Sequence, residues 1–256
     1  MTGRTVTVVE LPERIVSLVP SQTELLFDLG LGDAVIGITK FCVHPEVWFR
    51  SKKRVGGTKT VHPDVVTALQ PDLIIANKEE NTKEQIEALA EQFPVWVSDI
   101  KTIEDALEMI PQVGGIVGRS AEADALVASI RKGFAGLTKK SGTRRVAYFI
   151  WRKPWMCAGG DTFISDVLTH LGWENVFGHL DRYPEIALET LASLDVDLIL
   201  LSSEPYPFRD SHVAELQAAA PSASVLLVDG EMFSWYGSRM LEAISYFEQL
   251  QIPEMT

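Results

Sequence analysis

The chain has 256 residues, 35 acidic against 23 basic, and a formal charge of −12 with histidines neutral. That balance excludes an overall cationic field, and with it a role resting mainly on nucleic-acid phosphates, which need clustered positive charge. Hydrophobic residues at 46% supply a core without the bias of a disordered chain, and apolar strings such as Leu73–Ala76 fall far short of the roughly 18 residues of a membrane helix.

The opening MTGRTVTVVELPERIVS carries Arg4 but neither an apolar run nor a small-residue cleavage site, so no secretory leader is read in it. RIVSLVP predicts a strand over 14–20, and SQTELLFDLG a helix over 21–30. In that helix Ser21 is the expected N-cap, Glu24 completes a capping box, and Gly30 is the left-handed stop. A strand at VIGIT, a helix at HPDVVTALQ, a strand at DLIIA, a helix at NTKEQIEALAEQ and a strand at PVWVSD follow. Residues 102–140 read as helix, with Pro111 and the Gly114, Gly115, Gly118 cluster predicting a kink or break.

From RVAYFIW onward the same steps return. LGWENVFG echoes LGLGDAVIG with one deletion, and LETLASLDVDLILLSSE matches PDVVTALQPDLIIANKE at a constant offset of 125. Strand and helix in alternation, repeated once, predict an α/β protein of two similar Rossmann-like lobes with parallel sheets, residues 1–100 and 142–256, joined by one long backbone helix in 101–141.

Catalytic signatures are missing. There is no phosphate-binding G-x-x-x-x-G-K-[ST] and no G-x-S-x-G elbow, and GLGDAV follows a helix where a dinucleotide loop would follow a strand. No residue is assigned a catalytic role. Cys42 and Cys157 are too few for a disulfide framework. Cys42 and His44 lie two apart in a loop after a strand, a spacing that suits metal ligands, although a zinc site asks for three or four. Three loops interleave rings with cations: Trp151 and Trp155 around Arg152 and Lys153, Tyr183 beside Arg182, and Trp235 and Tyr236 near Arg239. Such loops after strand ends suit a large, flat, partly anionic ligand.

Four segments, RIVSLVPSQTELLFDLG, GGTKTVHPDVVTALQPDLIIANKEENTKEQIEAL, PWMCAGGDTFISDVLTHLGWENVF and LILLSSEPYPF, make nearly the whole chain resemble the class III, helical-backbone periplasmic substrate-binding proteins of ABC importers, in the cobalamin and ferric-siderophore branch. The resemblance implies a periplasmic or cell-surface receptor, monomeric and without catalytic cofactor, that binds a metal chelate (cobalamin, ferric siderophore or haem) in a cleft between its lobes. It implies a first-lobe wall of Pro20, Ser21, Lys40, Thr58 and Lys59, and a second-lobe wall of Trp151, Trp155, Arg182, Tyr183 and Trp235. It also implies that one acidic residue per lobe docks on arginines of the membrane permease. Glu79 and Glu204 hold matched places for this, each seven residues after the paired Asp72 and Asp197. TKFCVHPEVWF departs from the acidic-aromatic-proline pattern of the cobalamin binders, which leaves the chelate open. Two alternatives remain at this point: Cys42 and His44 as direct ligands of a metal ion or haem iron, or a cytoplasmic sensor or enzyme on the same fold.

Overall fold

The computed structural model describes residues 10–137 and 143–253. Part of the opening segment read for a leader, residues 1–9, and the end of the expected linker helix, 138–140, lie outside them. Two compact units are present. The first holds the described residues up to Ile100 together with Glu104–Ile130 and Trp235–Met240; the second holds Lys101–Ile103, Arg131–Ser234 and the chain from Leu241.

In the first unit, β1 (Ile15–Ser17), α1 (Pro20–Asp28), β2 (Val35–Ile38), α2 (Glu46–Ser51), β3 (Lys53–Arg54), α3 (Pro63–Leu69), β4 (Leu73–Asn77), α4 (Lys83–Ala90) and β5 (Val95–Ser98) follow in order. The strands form one sheet, β3-β2-β1-β4-β5, parallel throughout. All five residues of β4 are buried, as a central parallel strand covered on both faces requires. Val16, Leu18, Ile74, Ala76 and Ile86 fill the core beneath it.

The segment expected as one helix is two, α5 (Ile103–Ile116) and α6 (Ser120–Gly136). Pro111 sits inside α5, and the break falls at the glycine end of the cluster, between Ile116 and Ser120. A helix tolerates proline more readily than it continues through a residue that turns left-handed, and Gly118 has φ +69. The chain of α6 begins in the first unit and ends in the second.

The second unit contains β6 (Arg145–Trp151), β7 (Met156–Cys157), α7 (Phe163–His170), β8 (Glu174–Asn175), a 3-10 turn at Leu188–Ser193, β9 (Leu198–Ser202), α8 (Asp210–Ala219), β10 (Ser224–Val228), α9 (Gly230–Ser234) and α10 (Met240–Gln249). Strands β10, β9, β6 and β8 pair in parallel, and the short β7 runs antiparallel along β6. Ala147, Phe149, Phe177, Ile199 and Leu201 make the core.

The duplication reaches individual hydrogen bonds. The Arg14 amide donates to the Asp72 carboxylate at 2.9 Å, and its Nε donates to the carbonyls of Leu69 and Gln70 at 3.2 and 3.1 Å. In the second unit the Arg145 amide donates to Asp197 at 2.7 Å, and its Nε to Leu194 and Asp195, both at 3.2 Å. Gln70 and Asp195, 125 positions apart, share a left-handed backbone at φ 46 and 45. The same clamp therefore closes the crossover into β4 and into β9, although the first crossover is α-helical and the second a 3-10 turn.

Candidate functional site

Parallel strands send every following loop to the same edge of a sheet. In the first unit this carboxyl edge receives the turn at Pro20, the loop 39–45 after β2, the loop 56–60 after β3 and the turn 78–81 after β4. In the second it receives residues 152–155 after β6 and 203–208 after β9. The segment around Arg182 joins them, because the Ile186 amide donates to the Trp155 carbonyl at 2.8 Å and Glu185 bridges to Met156. A cavity of about 450 Å3 in the first unit, lined among others by Leu11, Asp33 and Arg119, contains none of the expected site residues.

Within the first unit, Ser21 departs from its expected role. The N-cap of α1 is Val19 with no side-chain cap, and Ser21 is buried in the first turn, because Pro20 already occupies the opening helical position where a missing amide costs nothing. Gly30 does take the left-handed stop, at φ +80. Lys40 is exposed and its Nζ lies 5.0 Å from the ring centroid of Phe41, itself 50% exposed. Beneath them the turn needs glycine: Gly56 has φ +109, and a Cβ there would come within 2.3 Å of the Thr60 carbonyl. Thr58 is buried, while Lys59 is exposed and donates from Nζ to the Glu79 carbonyl. The buried Asn81 holds these loops together. Its Nδ2 donates to the Leu18 and Thr58 carbonyls at 3.2 and 3.0 Å, and its Oδ1 accepts the Asn77 amide at 2.8 Å. Asn81 and Phe41 are missed by sequence reasoning; the two asparagines four apart in NKEEN, directly after a strand, are the only signal for the first.

Cys42 is enclosed by hydroxyls. It is fully buried, its Sγ sits 3.1 and 3.2 Å from the Thr23 and Thr39 hydroxyls, and burial pushes its thiol pKa up. Among the described residues no group of three or more His, Cys, Asp and Glu could hold a metal ion. His44 instead packs edge-on against Trp235, with ring centroids 5.5 Å apart.

Trp235 was expected in the wall of the second lobe; it is 7% exposed and belongs to the first unit. The Arg239 guanidinium lies 5.4 Å from its ring centroid and forks onto the Glu24 carboxylate, with Nε at 2.9 Å. Glu24 therefore pairs with an arginine far along the chain and completes no capping box. Burial outweighs that pairing and raises the Glu24 pKa.

In the second unit the two tryptophans separate. Trp155 stacks on Phe208, 5.8 Å between centroids and 8° between planes, meets Phe149 edge-on, and packs against the core. Its faces are committed to the fold. Trp151 is 38% exposed and meets Tyr206 edge-on at 5.6 Å, so part of its ring surface stays open. The Arg152 guanidinium binds Glu215 at 3.0 and 2.8 Å, and one turn earlier on α8 His212 accepts the Arg209 amide. Arg182 is exposed at φ +60, with its amide bonded to Asp161. That bond, with Lys101, lowers the Asp161 pKa. Tyr183 beside it is half-buried. Cys157 is free and buried, its pKa pushed up to about 12 by burial.

Glu79 and Glu204 stand two residues beyond β4 and β9, both half-buried. Each turn is braced by the last residue of its strand: Asn77 Oδ1 accepts the Glu79 amide at 2.8 Å, and Ser202 Oγ the Glu204 amide at 3.3 Å.

A family model described as periplasmic binding protein matches residues 15–222. The vitamin B12-binding protein of Vibrio campbellii is 29% identical over 196 residues, covering 74% of this chain and 70% of that protein. An uncharacterized ABC transporter substrate-binding lipoprotein of Bacillus subtilis, YvrC, is 25% identical over 265 residues, covering 97% and 83%. In three dimensions the periplasmic heme-binding protein HutB of Vibrio cholerae aligns with a TM-score of 0.79 at 20% identity, over 94% of this chain and 99% of that one. No helix among the described residues is long and apolar enough to cross a membrane.

Proposed function

Because the chain belongs to the periplasmic binding protein family, we propose that it is the substrate-binding protein of an ABC importer, which captures a metal-chelate nutrient outside the cytoplasmic membrane and passes it unchanged to a permease. The observation that carries this reading is the shared polarity of the sheets, which sends exposed rings and cations to the same edge of each unit as a matched carboxylate. In the first unit Lys40, with Phe41, and Lys59 offer the ligand surface, flanked by Pro20 and Thr58. In the second, Trp151, Arg182 and Tyr183 do so. Aromatic faces beside cations suit a broad macrocycle or aromatic chelator carrying polar or anionic arms. The chelate is of the cobalamin, ferric-siderophore or haem class, with cobalamin favoured: the buried Cys42 suits a metal that brings its own ligands, and a relative sharing 29% identity is named for vitamin B12. Glu79 and Glu204 dock on the permease, and the protein acts as a monomer.

Titration of the purified protein with cyanocobalamin, haemin and ferric siderophores, followed through quenching of its six tryptophans, tests the reading. One saturable ligand, recovered chemically unchanged, is expected. A folded protein that binds none of the panel would overturn it.

A further inference from the structure

The matched carboxylates are held differently. Among the described residues the Glu79 carboxylate has no hydrogen bond or ion pair, and only its backbone is fixed, through Asn77 and Lys59. The Glu204 carboxylate accepts a hydrogen bond at Oε1 from Ser234 Oγ at 3.0 Å, and its stem lies against Gly230 so closely that a Cβ on that glycine would come within 2.8 Å of Cγ. Gly230 is itself fixed, its amide donating to Ser203 Oγ at 2.9 Å. Both ends of α9 therefore touch Glu204, one with its bare backbone and the other with a hydroxyl.

We infer that Ser234 is a positioning residue for permease docking, which holds the Glu204 carboxylate in its docking rotamer before the permease arrives; this rests on the docking reading of Glu204 above. An ionised carboxylate accepts about four hydrogen bonds. One hydrogen bond at Oε1 therefore does not exhaust it, and Ser234 orders Glu204 without blocking an arginine. The Ser234 hydroxyl also lies 2.9 Å from the Gly230 carbonyl, one turn back. Its single proton is thus shared between two acceptors, the Glu204 carboxylate and the Gly230 carbonyl. A long acidic side chain frozen only on binding loses rotamer freedom, and one already held loses less. The second unit therefore presents a rigid docking point, and the first an adaptable one.

The test uses the full chain and its cognate permease in nanodiscs, with affinity read by surface plasmon resonance. S234A should weaken binding about twofold to tenfold, the scale of one immobilised side chain, while S234T restores it to within twofold. In an E204A background, itself weakened further than S234A, adding S234A should change nothing. If S234A binds as wild type while E204A does not, the inference falls and the docking reading stands. If E204A binds as wild type, both fall. A full S234A effect persisting in the E204A background would place its action elsewhere in the fold, and overturn the inference.

Discussion

The two units share a frame and differ in what stiffens their carboxyl edges. In the first, amide chemistry does it: Asn81 ties three loops through hydrogen bonds to main-chain groups. In the second, rings do it, with Trp155, Phe208, Tyr206 and His212 packed in succession and Arg152 locked to Glu215. The arginine clamps before β4 and β9 make matching bonds although one crossover is α-helical and the other a 3-10 turn, so the divergence lies in the loops and the crossovers while the clamp is kept. A duplicated frame can therefore keep its arginine clamp while each copy finds its own way to order its carboxyl-edge loops.

The matched carboxylates provide the sharpest break of this comparison. Reversing both charges, E79K with E204K, should abolish permease-dependent uptake while chelate affinity stays within about twofold, since such charges govern encounter and orientation; a large loss of affinity would return the pair to the ligand site. Next in size is the first unit's Glu24–Arg239 pair, buried on both sides. E24A should cost about 3–5 kcal/mol of unfolding free energy, because it removes the carboxylate partner of a buried guanidinium. An urea midpoint unchanged from wild type would show that the Trp235–Met240 segment does not help hold the first unit. In the second unit W155A should cost about 3 kcal/mol of stability by emptying a stacked site, whereas W151A should leave stability within about 0.5 kcal/mol and weaken the chelate by about 1–3 kcal/mol, on the scale of base–aromatic stacking. Equal losses of affinity in the two variants would undo the division between structural and exposed ring.

Most of the frame was legible in the sequence, because parallel strands announce themselves as short Val, Ile and Leu runs between helical patterns. The offset of 125 held down to the φ angles of Gln70 and Asp195. The candidate site is legible in composition and not in orientation. Trp151 and Trp155 are four residues apart with the same chemistry, and only the partner Phe208, distant in sequence, decides which one is spent on the core. Trp235 was assigned to the second lobe by its position in the chain, yet Arg239 finds its carboxylate on α1, and no local pattern records a pairing across 215 residues. Ser21 looked like a cap because Ser-x-x-Glu is a capping pattern; Pro20 starting the helix one residue earlier overrides it.

The smallest expected effect separates the units by the sign of their response to pH. Burial raises the Glu24 pKa in the folded protein from its ordinary value near 4.5, so over the window just above that value the folded state binds more protons than the unfolded one. Its contribution is fully present below that window and is lost as pH rises through the folded pKa. Asp161 behaves oppositely. The Arg182 amide and Lys101 hold it below its ordinary value near 3.8, so its contribution is present above that value and is lost as pH falls through the depressed one. Urea unfolding at closely spaced pH values should accordingly show E24Q flattening the decline on the neutral side, and D161N flattening only the acid side. D161N also leaves the Arg182 amide a weaker, uncharged acceptor, so at neutral pH it should lower stability slightly and weaken the chelate a few-fold. If both variants flattened the same limb, the opposed environments of these two carboxylates, one buried and one held by an exposed loop, would be wrong.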